Sequence, residues 1–230
     1  MSPPLRVVVI GAGGRLGGAA CSAIEAQTDL ALVGQFSSRD DWRARLAEVR
    51  PDVALDATRA GLGAAHGLAC LEAGARIVVA TSGVTLEQEA ALDQRARELS
   101  LGGLIVPNFS LGAMLLLRAC AEFARHFPAC EIIEMHHDKK RDAPSATALE
   151  TERRIRSVPS RPPAPVPIHS VRLPGLYAHQ EVLFAGPGEV LSLRHDAFSP
   201  QAFQAGIVAA VRHAARASGV QRGIEHAFDA

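Results

Sequence analysis

The stretch from Leu5 to Ala26 constrains this chain more than any other. Leu5–Ile10 is a short, valine-rich apolar run, the pattern of a strand buried on both faces of a parallel sheet. It leads directly into Gly11-Ala12-Gly13-Gly14-Arg15-Leu16-Gly17, and Ala19–Ala26 continues with helical composition. Strand, glycine-rich turn and helix form the context in which a backbone can approach a pyrophosphate resting on a helix N-terminus. The spacing allows two readings: Gly11, Gly14 and Gly17, or Gly11 and Gly13 with a displaced third glycine. Gly11, Gly13, Gly14, Arg15 and Leu16 are therefore candidate cofactor-binding residues.

The alternation continues. Strands are predicted at Leu30–Gly34, Asp52–Leu55, Arg76–Ala80 and Gly103–Val106. Helices are predicted at Trp42–Val49, Leu62–Ala73 and Leu86–Leu99, the second closed by Gly74 as its C′ residue. Five strands alternating with helices predict an α/β fold, a Rossmann-type doubly wound parallel sheet. Ligands of such sheets bind outside the carboxyl ends of the strands. Besides the glycine loop, the polar turns there are Ser37-Ser38-Arg39, Thr58-Arg59, Thr81-Ser82 and Asn108–Ser110, and Asn108 is the only asparagine in the chain.

Leu111–Arg125 reads as a long helix leading into a second domain. There the sequence Glu131-Ile-Ile-Glu-Met-His-His-Asp-Lys-Lys-Arg-Asp-Ala-Pro-Ser-Ala-Thr-Ala148 reads as strand, polar loop and helix N-terminus, with Ser145 as N-cap. This junction gathers a proton donor (His136 or His137), a cation (Lys139 or Lys140) and open backbone N–H groups. Such a set suits a small polyanionic substrate that must be held and protonated. Lys139 and Lys140 are the only lysines; every other cationic residue among the 24 Lys and Arg is arginine. An ammonium can approach one reacting atom where a guanidinium presents a planar fork. Thr147–Arg156 reads as a helix and 157–167 as a proline-rich loop. Strands follow at Ile168–Arg172, Ala178–Phe184 and Glu189–His195, and a helix at Gln201–Ala217. The second domain is thus α+β, built on a mixed or antiparallel sheet with one face to cover.

Composition narrows the partners. The 230 residues carry zero net formal charge, which argues against nucleic acid or an anionic membrane surface. Cys21, Cys70, Cys120 and Cys130 have neither zinc-ligand nor CxxC spacing, so no metal is expected and the thiols fit a reducing cytoplasm. The longest apolar stretch, Leu111–Leu117, is too short to span a bilayer, and no signal-peptide pattern opens the chain.

These features together resemble the dihydrodipicolinate reductase family of the diaminopimelate–lysine pathway. The family signature E-[IV]-x-E-x-H-x3-K-x-D-x-P-S-G-T-A is matched by Glu131, Ile132, Glu134, His136, Lys140, Asp142, Pro144, Ser145, Thr147 and Ala148. The glycine loop, the turn Pro107-Asn108-Phe109-Ser110 and the stretch Leu173–Glu189 are similar too, so the resemblance covers nearly the whole chain. It departs at Ala146 and Ala80, each replacing a family glycine, and in a short proline-rich segment after Ala148.

The resemblance implies NAD(P)H-dependent reduction of 4-hydroxy-tetrahydrodipicolinate, a small cyclic dicarboxylate, by a cytoplasmic homotetramer. It implies that His136 is the acid and that Lys140 stabilises charge developing on the ring. His137, Ser145, Thr147 and the Ala146 N–H would bind substrate carboxylate. Cofactor would meet the glycine loop, Ser37, Ser38, Arg39, Thr58, Ala80, Thr81, Ser82, Pro107, Asn108 and Phe109. The dinucleotide domain would comprise 1–109 with 200–230, and the substrate-binding and oligomerisation domain 110–199. NADPH is expected to be preferred over NADH, because Ser37, Ser38 and Arg39 could hold a 2′-phosphate and no acid stands at the second strand's end; Asp40 and Asp41 follow closely and argue the other way if either turns inward, and equally fit the start of the next helix. Two rival readings are another two-domain NAD(P)-dependent amino-acid dehydrogenase and a non-catalytic dinucleotide sensor.

Overall fold

The computed structural model describes residues 3–159 and 165–228. The expected proline-rich loop at 157–167 therefore lies partly outside the described residues. The chain divides into two compact units, Met1–Ser110 with Phe203–Ala230, and Leu111–Ala202.

The first unit holds β1 (Leu5–Ile10), α1 (Arg15–Glu25), β2 (Leu30–Phe36), α2 (Trp42–Val49), β3 (Val53–Asp56), α3 (Gly63–Glu72), β4 (Arg76–Val79), α4 (Leu86–Glu98) and β5 (Gly102–Ile105). From the C-terminal part come a 3₁₀ turn (Pro200–Phe203), most of which falls in the second unit, then α7 (Gln204–Ala214) and β10 (Gly219–Arg222). The strands form one parallel sheet in the order β10-β5-β4-β3-β1-β2. Val7, Val8, Val9, Leu55 and Val78 are fully buried at its centre, as expected where helices cover both faces. The chain passes from β1 outward to β2, then crosses back past β1 to β3, so the switch point lies between β1 and β3.

Two expectations need correction here. The sheet has six strands, not five: β10 is short, opens on glycine and carries Gln221 and Arg222, so its sequence gives little strand signal. Strand β2 does not stop at Gly34. The register slips between Val7 and Val8, and the strand continues to Phe36. Gly34 is small because the Phe36 ring and the Val8 side chain occupy the space a Cβ would need.

The second unit holds α5 (Leu111–Phe123), β6 (Ala129–His136), α6 (Ala146–Arg156), β7 (Ile168–Arg172), β8 (Ala178–Gly186) and β9 (Glu189–Ala197). The sheet order is β7-β6-β8-β9; β7 runs parallel to β6, and the other pairs are antiparallel, so the sheet is mixed. Its inner face, with Ile132, Val182 and Phe184, packs on Leu116, Leu117 and Cys120 of α5 and on Ala148 and Ile155 of α6. Strand alternation turns Ile133, Met135, Leu183 and Val190 to the opposite face, where Val190 is 66% exposed.

Candidate active site

In the second unit the chemistry gathers around Glu134, which is fully buried near the end of β6. A carboxylate without solvent needs every lone pair matched. Arg172 supplies a two-pronged match, its Nη2 donating to Oε1 at 2.7 Å and Nη1 to Oε2 at 2.9 Å. His136 Nδ1 lies 2.6 Å from Oε2, and the Ser145 N–H donates to Oε1 at 3.3 Å. Burial alone would raise the Glu134 pKa, but hydrogen bonds from Arg172, Ser170 and His136 outweigh it and hold the carboxyl below its usual range. The acceptor-only carboxylate fixes the tautomer of His136: Nδ1 carries the hydrogen and Nε2 is left for proton exchange. Burial lowers the His136 pKa, and Glu134 only partly offsets that, while Lys140 and Arg172 push it lower still.

The loop after β6 brings the cation close. A turn closes where the Lys140 N–H donates to the His137 carbonyl, and Lys140 Nζ donates to Asp142 at 2.6 Å. Lys140 is thus held by Asp142, whereas Lys139 is exposed. Arg172 Nη2 also donates to the Asp142 carbonyl at 2.9 Å, tying the loop to β7. Ser145 caps α6, its Oγ accepting from the Ala148 N–H at 3.2 Å. Ala146 is the first residue of α6 and has an ordinary negative φ, so the residue that replaces glycine there fits its backbone without strain. Its N–H stands outside the intrahelical ladder, at the positive end of the helix dipole. His137 and Thr147 are half-buried on either side of this loop's course. One sheet end and one helix end thus bring together His136, Lys140, Ser145 and Ala146.

In the first unit the glycine loop is built as Gly11, Gly14 and Gly17. Gly11 has φ +89°, and a Cβ there would press into Ala57. A Cβ on Gly17 would collide with the Gly11 carbonyl, and one on Gly14 would come within 3.3 Å of it. Gly13 faces open space. Arg15 and Leu16 form the first turn of α1, whose N-cap is Gly14.

Several expected cofactor contacts are used internally. Ser37 donates both its N–H (2.7 Å) and its Oγ–H (2.8 Å) to Asp40 Oδ2. This brings a carboxylate into the turn beside Ser37. Those two bonds, the backbone one first, hold Asp40 below the usual carboxylate range. Ser38 and Arg39 are exposed, and Asp41 caps α2 by accepting from the Ala44 N–H. Thr58 and Thr81 both donate to Asp56, and Thr81 is buried. Ala80 is half-buried, its N–H donating to the Asp56 carbonyl, and Ser82 is exposed. The Phe109 ring is 2% exposed, so it belongs to the core and offers no stacking surface. Pro107 is exposed, and Asn108 Oδ1 accepts from the Ser110 N–H at 2.8 Å. Among the described residues no cluster of three or more His, Cys, Asp or Glu could hold a metal ion. The four cysteines are buried and form no disulfide.

Two parts of one family cover the chain, the second of them taking in residues of both units. Residues 5–109 match the N-terminus of dihydrodipicolinate reductase and residues 112–226 match its C-terminus. The chain belongs to the dihydrodipicolinate reductase family. It is 36% identical over 266 aligned residues to 4-hydroxy-tetrahydrodipicolinate reductase of Moorella thermoacetica, covering 100% of both chains. It is 37% identical to the enzyme of the same name from Coxiella burnetii, covering 96% of this chain and 98% of that one. A solved structure, dipicolinate-bound dihydrodipicolinate reductase from Paenisporosarcina sp. TG-14, superposes with a TM-score of 0.82 at 31% identity. That match covers 96% of this chain and 98% of the other.

Membership of the dihydrodipicolinate reductase family gives the signature residues a common address, but other residues of the clusters carry no such flag. Arg172 lies 38 residues from Glu134 and meets it because β7 runs parallel to β6, with His136 opposite Arg172. Only sheet register reveals that pairing. Asp56 and His66 are ten residues apart on β3 and α3, and their one sequence signal is that each is a polar residue inside an otherwise apolar segment.

Proposed function

We propose that the protein reduces 4-hydroxy-tetrahydrodipicolinate to tetrahydrodipicolinate with NAD(P)H in the diaminopimelate–lysine pathway. The observation that carries this reading is the Glu134–His136–Arg172 cluster beside the open N-terminus of α6, in a chain of this family. When bound, the nicotinamide would supply a hydride to the ring, and the 4-hydroxyl would leave as water. His136 donates the accompanying proton from Nε2, since Nδ1 is committed to Glu134. Lys140 stabilises the electron-rich ring that hydride addition creates. The Ala146 N–H, Ser145, Thr147 and His137 hold substrate carboxylate at the positive end of α6. A dianionic substrate beside His136 favours its protonated form, offsetting the burial that lowers its pKa.

Both NADPH and NADH serve this reaction, and the turn after β2 sets the balance. Asp40 Oδ2 takes both Ser37 donors, which leaves Oδ1 to accept from a ribose 2′-OH. Exposed Arg39 attracts a 2′-phosphate instead. The carboxylate lies within the turn, the case in which Asp40 argues against NADPH, so NADH is used at least as well as NADPH. Asp40→Asn then moves the kcat/KM ratio toward NADPH by about 10–100-fold, the size of one charge-assisted hydrogen bond.

The outward face of the second sheet supports a homotetramer. Ile133, Met135, Leu183 and Val190 form an apolar strip there, which a second copy would cover. Among the described residues no helix is long and apolar enough to cross a membrane. Four cysteines that form no disulfide and a biosynthetic substrate fit a cytoplasmic location.

The test is NAD(P)H oxidation with enzymatically generated substrate. Turnover with either cofactor is expected. Cofactor binding without turnover would return the chain to the sensor reading, and reduction of a different amino-acid precursor to the dehydrogenase reading.

A further inference from the structure

Asp56 ends β3 and is 2% exposed. Its Oδ1 accepts from Thr58 Oγ at 2.7 Å and lies 3.0 Å from His66 Nδ1; its Oδ2 accepts from Thr81 Oγ at 3.3 Å. A carboxylate only accepts, so Nδ1 of His66 carries the hydrogen in this contact. The same nitrogen lies 3.2 Å from Thr58 Oγ. His66 cannot easily turn: it is buried on α3, and its ring meets Trp42 edge-on at 5.0 Å. Thr81 is a buried second strut, packed so closely on α3 that a Cβ at Gly63 would collide with its Oγ.

A hydroxyl has one proton to give. The Thr58 proton is given to Asp56, so what Thr58 can still offer is a lone pair. Thr58 stands just beyond the carboxyl end of β3, on the β1/β3 switch point. It is also next to the glycine loop, since a Cβ at Gly11 would come within 3.0 Å of the Thr58 nitrogen. A dinucleotide lying there presents phosphoryl oxygens, which need donors, and ribose hydroxyls and a carboxamide, which can donate.

We propose that Asp56 and His66 are positioning residues that lock the Thr58 hydroxyl as an acceptor. This edge of the dinucleotide site then takes a hydroxyl or amide N–H of the cofactor and turns phosphoryl oxygens away. The inference rests on the dinucleotide-dependent reading of the site and adds which cofactor group it reads at this point.

The test is calorimetric titration of the full chain with NADH, and separately with inorganic pyrophosphate. Thr58→Val raises the NADH Kd about 5–10-fold, the loss of one hydrogen bond, and Thr58→Ser restores it. His66→Leu raises it similarly, and His66→Asn, which keeps a donor near the Nδ1 position, brings it back. Because His66 acts through Thr58, the double variant Thr58→Val/His66→Leu is no weaker than Thr58→Val alone. Pyrophosphate affinity stays within about twofold throughout. Additive single effects, or pyrophosphate binding that weakens with Thr58→Val, overturn the proposal. If His66→Leu does not fold, Thr58→Val against Thr58→Ser still decides, because Thr58 is only half-buried. Wild type that binds no NADH at all would instead overturn the dinucleotide reading itself.

Discussion

Each unit buries a carboxylate against a histidine Nδ1, but the two clusters differ in charge. Glu134 faces a guanidinium fork, a backbone N–H and an imidazole. Asp56 is held by two hydroxyls and an imidazole. In the first case a full positive charge compensates the carboxylate, so His136 is free to stay neutral and to trade a proton through its other nitrogen. In the second the donors are the histidine and two hydroxyls, and what the cluster fixes is the direction of a hydroxyl. The same pair of residue types thus serves proton traffic in one place and orientation in the other, decided by whether an arginine stands behind it.

The largest effect that can break this contrast is on turnover. His136→Gln is expected to lower kcat by about 10²–10⁴-fold in a folded protein, and Lys140→Ala to weaken turnover as well. Near-normal kcat in His136→Gln would remove His136 from proton transfer and with it the meaning of the first cluster.

Next comes stability. Glu134→Ala strands a largely buried guanidinium, and a loss of about 3 kcal/mol is expected. Asp56→Ala leaves neutral donors unmatched, and a loss of about 1–2 kcal/mol is expected. Urea unfolding of the two variants side by side measures the difference. Equal losses would mean that charge compensation is not what separates the clusters.

The pH dependence sharpens the same point. His136 has a folded pKa below 6.5 and Glu134 one below 4.5, so for both groups the unfolded chain takes up protons first as pH falls. The stability His136 contributes is present above pH 6.5 and lost as pH drops through its folded pKa; that of Glu134 is lost below 4.5. Catalysis moves oppositely: kcat/KM, which needs protonated His136, rises as pH falls from 7.5 toward the folded pKa. Unfolding midpoints and initial rates across pH 4 to 8 test both limbs, and a flat rate profile would sink the assignment of His136 as acid.

The smallest effect belongs to Ala146. Ala146→Gly is expected to lower KM for the dicarboxylate about 2–3-fold, within the range of one helix-terminus interaction, and to leave the cofactor Kd unchanged. An unchanged KM would show that the added methyl never crowded the carboxylate.

Much of this was readable from the sequence, for identifiable reasons. Strand β1, helix α2 and strand β7 fall residue for residue where apolar runs and caps place them. The signature around His136 announced the Glu134 cluster, because strand, loop and helix cap are all local. What escaped depends on distance in sequence. Arg172 reaches Glu134 only through the parallel register of β6 and β7. Asp40 follows closely after β2, and its place in sequence leaves open whether it turns inward or starts the next helix; only the fold shows it accepting from Ser37. Phe109 flanks a polar turn yet points into the core. Strand β10 is stabilised by its place beside β5, not by its own composition.

The hydrogen bond from the Ser145 N–H to Glu134 has one further consequence. It fastens the start of α6 to the strand that carries His136, while Arg172 fastens β7 to that same strand and to the loop at Asp142. The helix end and the imidazole therefore have little independent motion left to surrender when a ligand arrives. The entropy of ordering this corner is spent once, as the chain folds, and each binding event begins from a surface already in register.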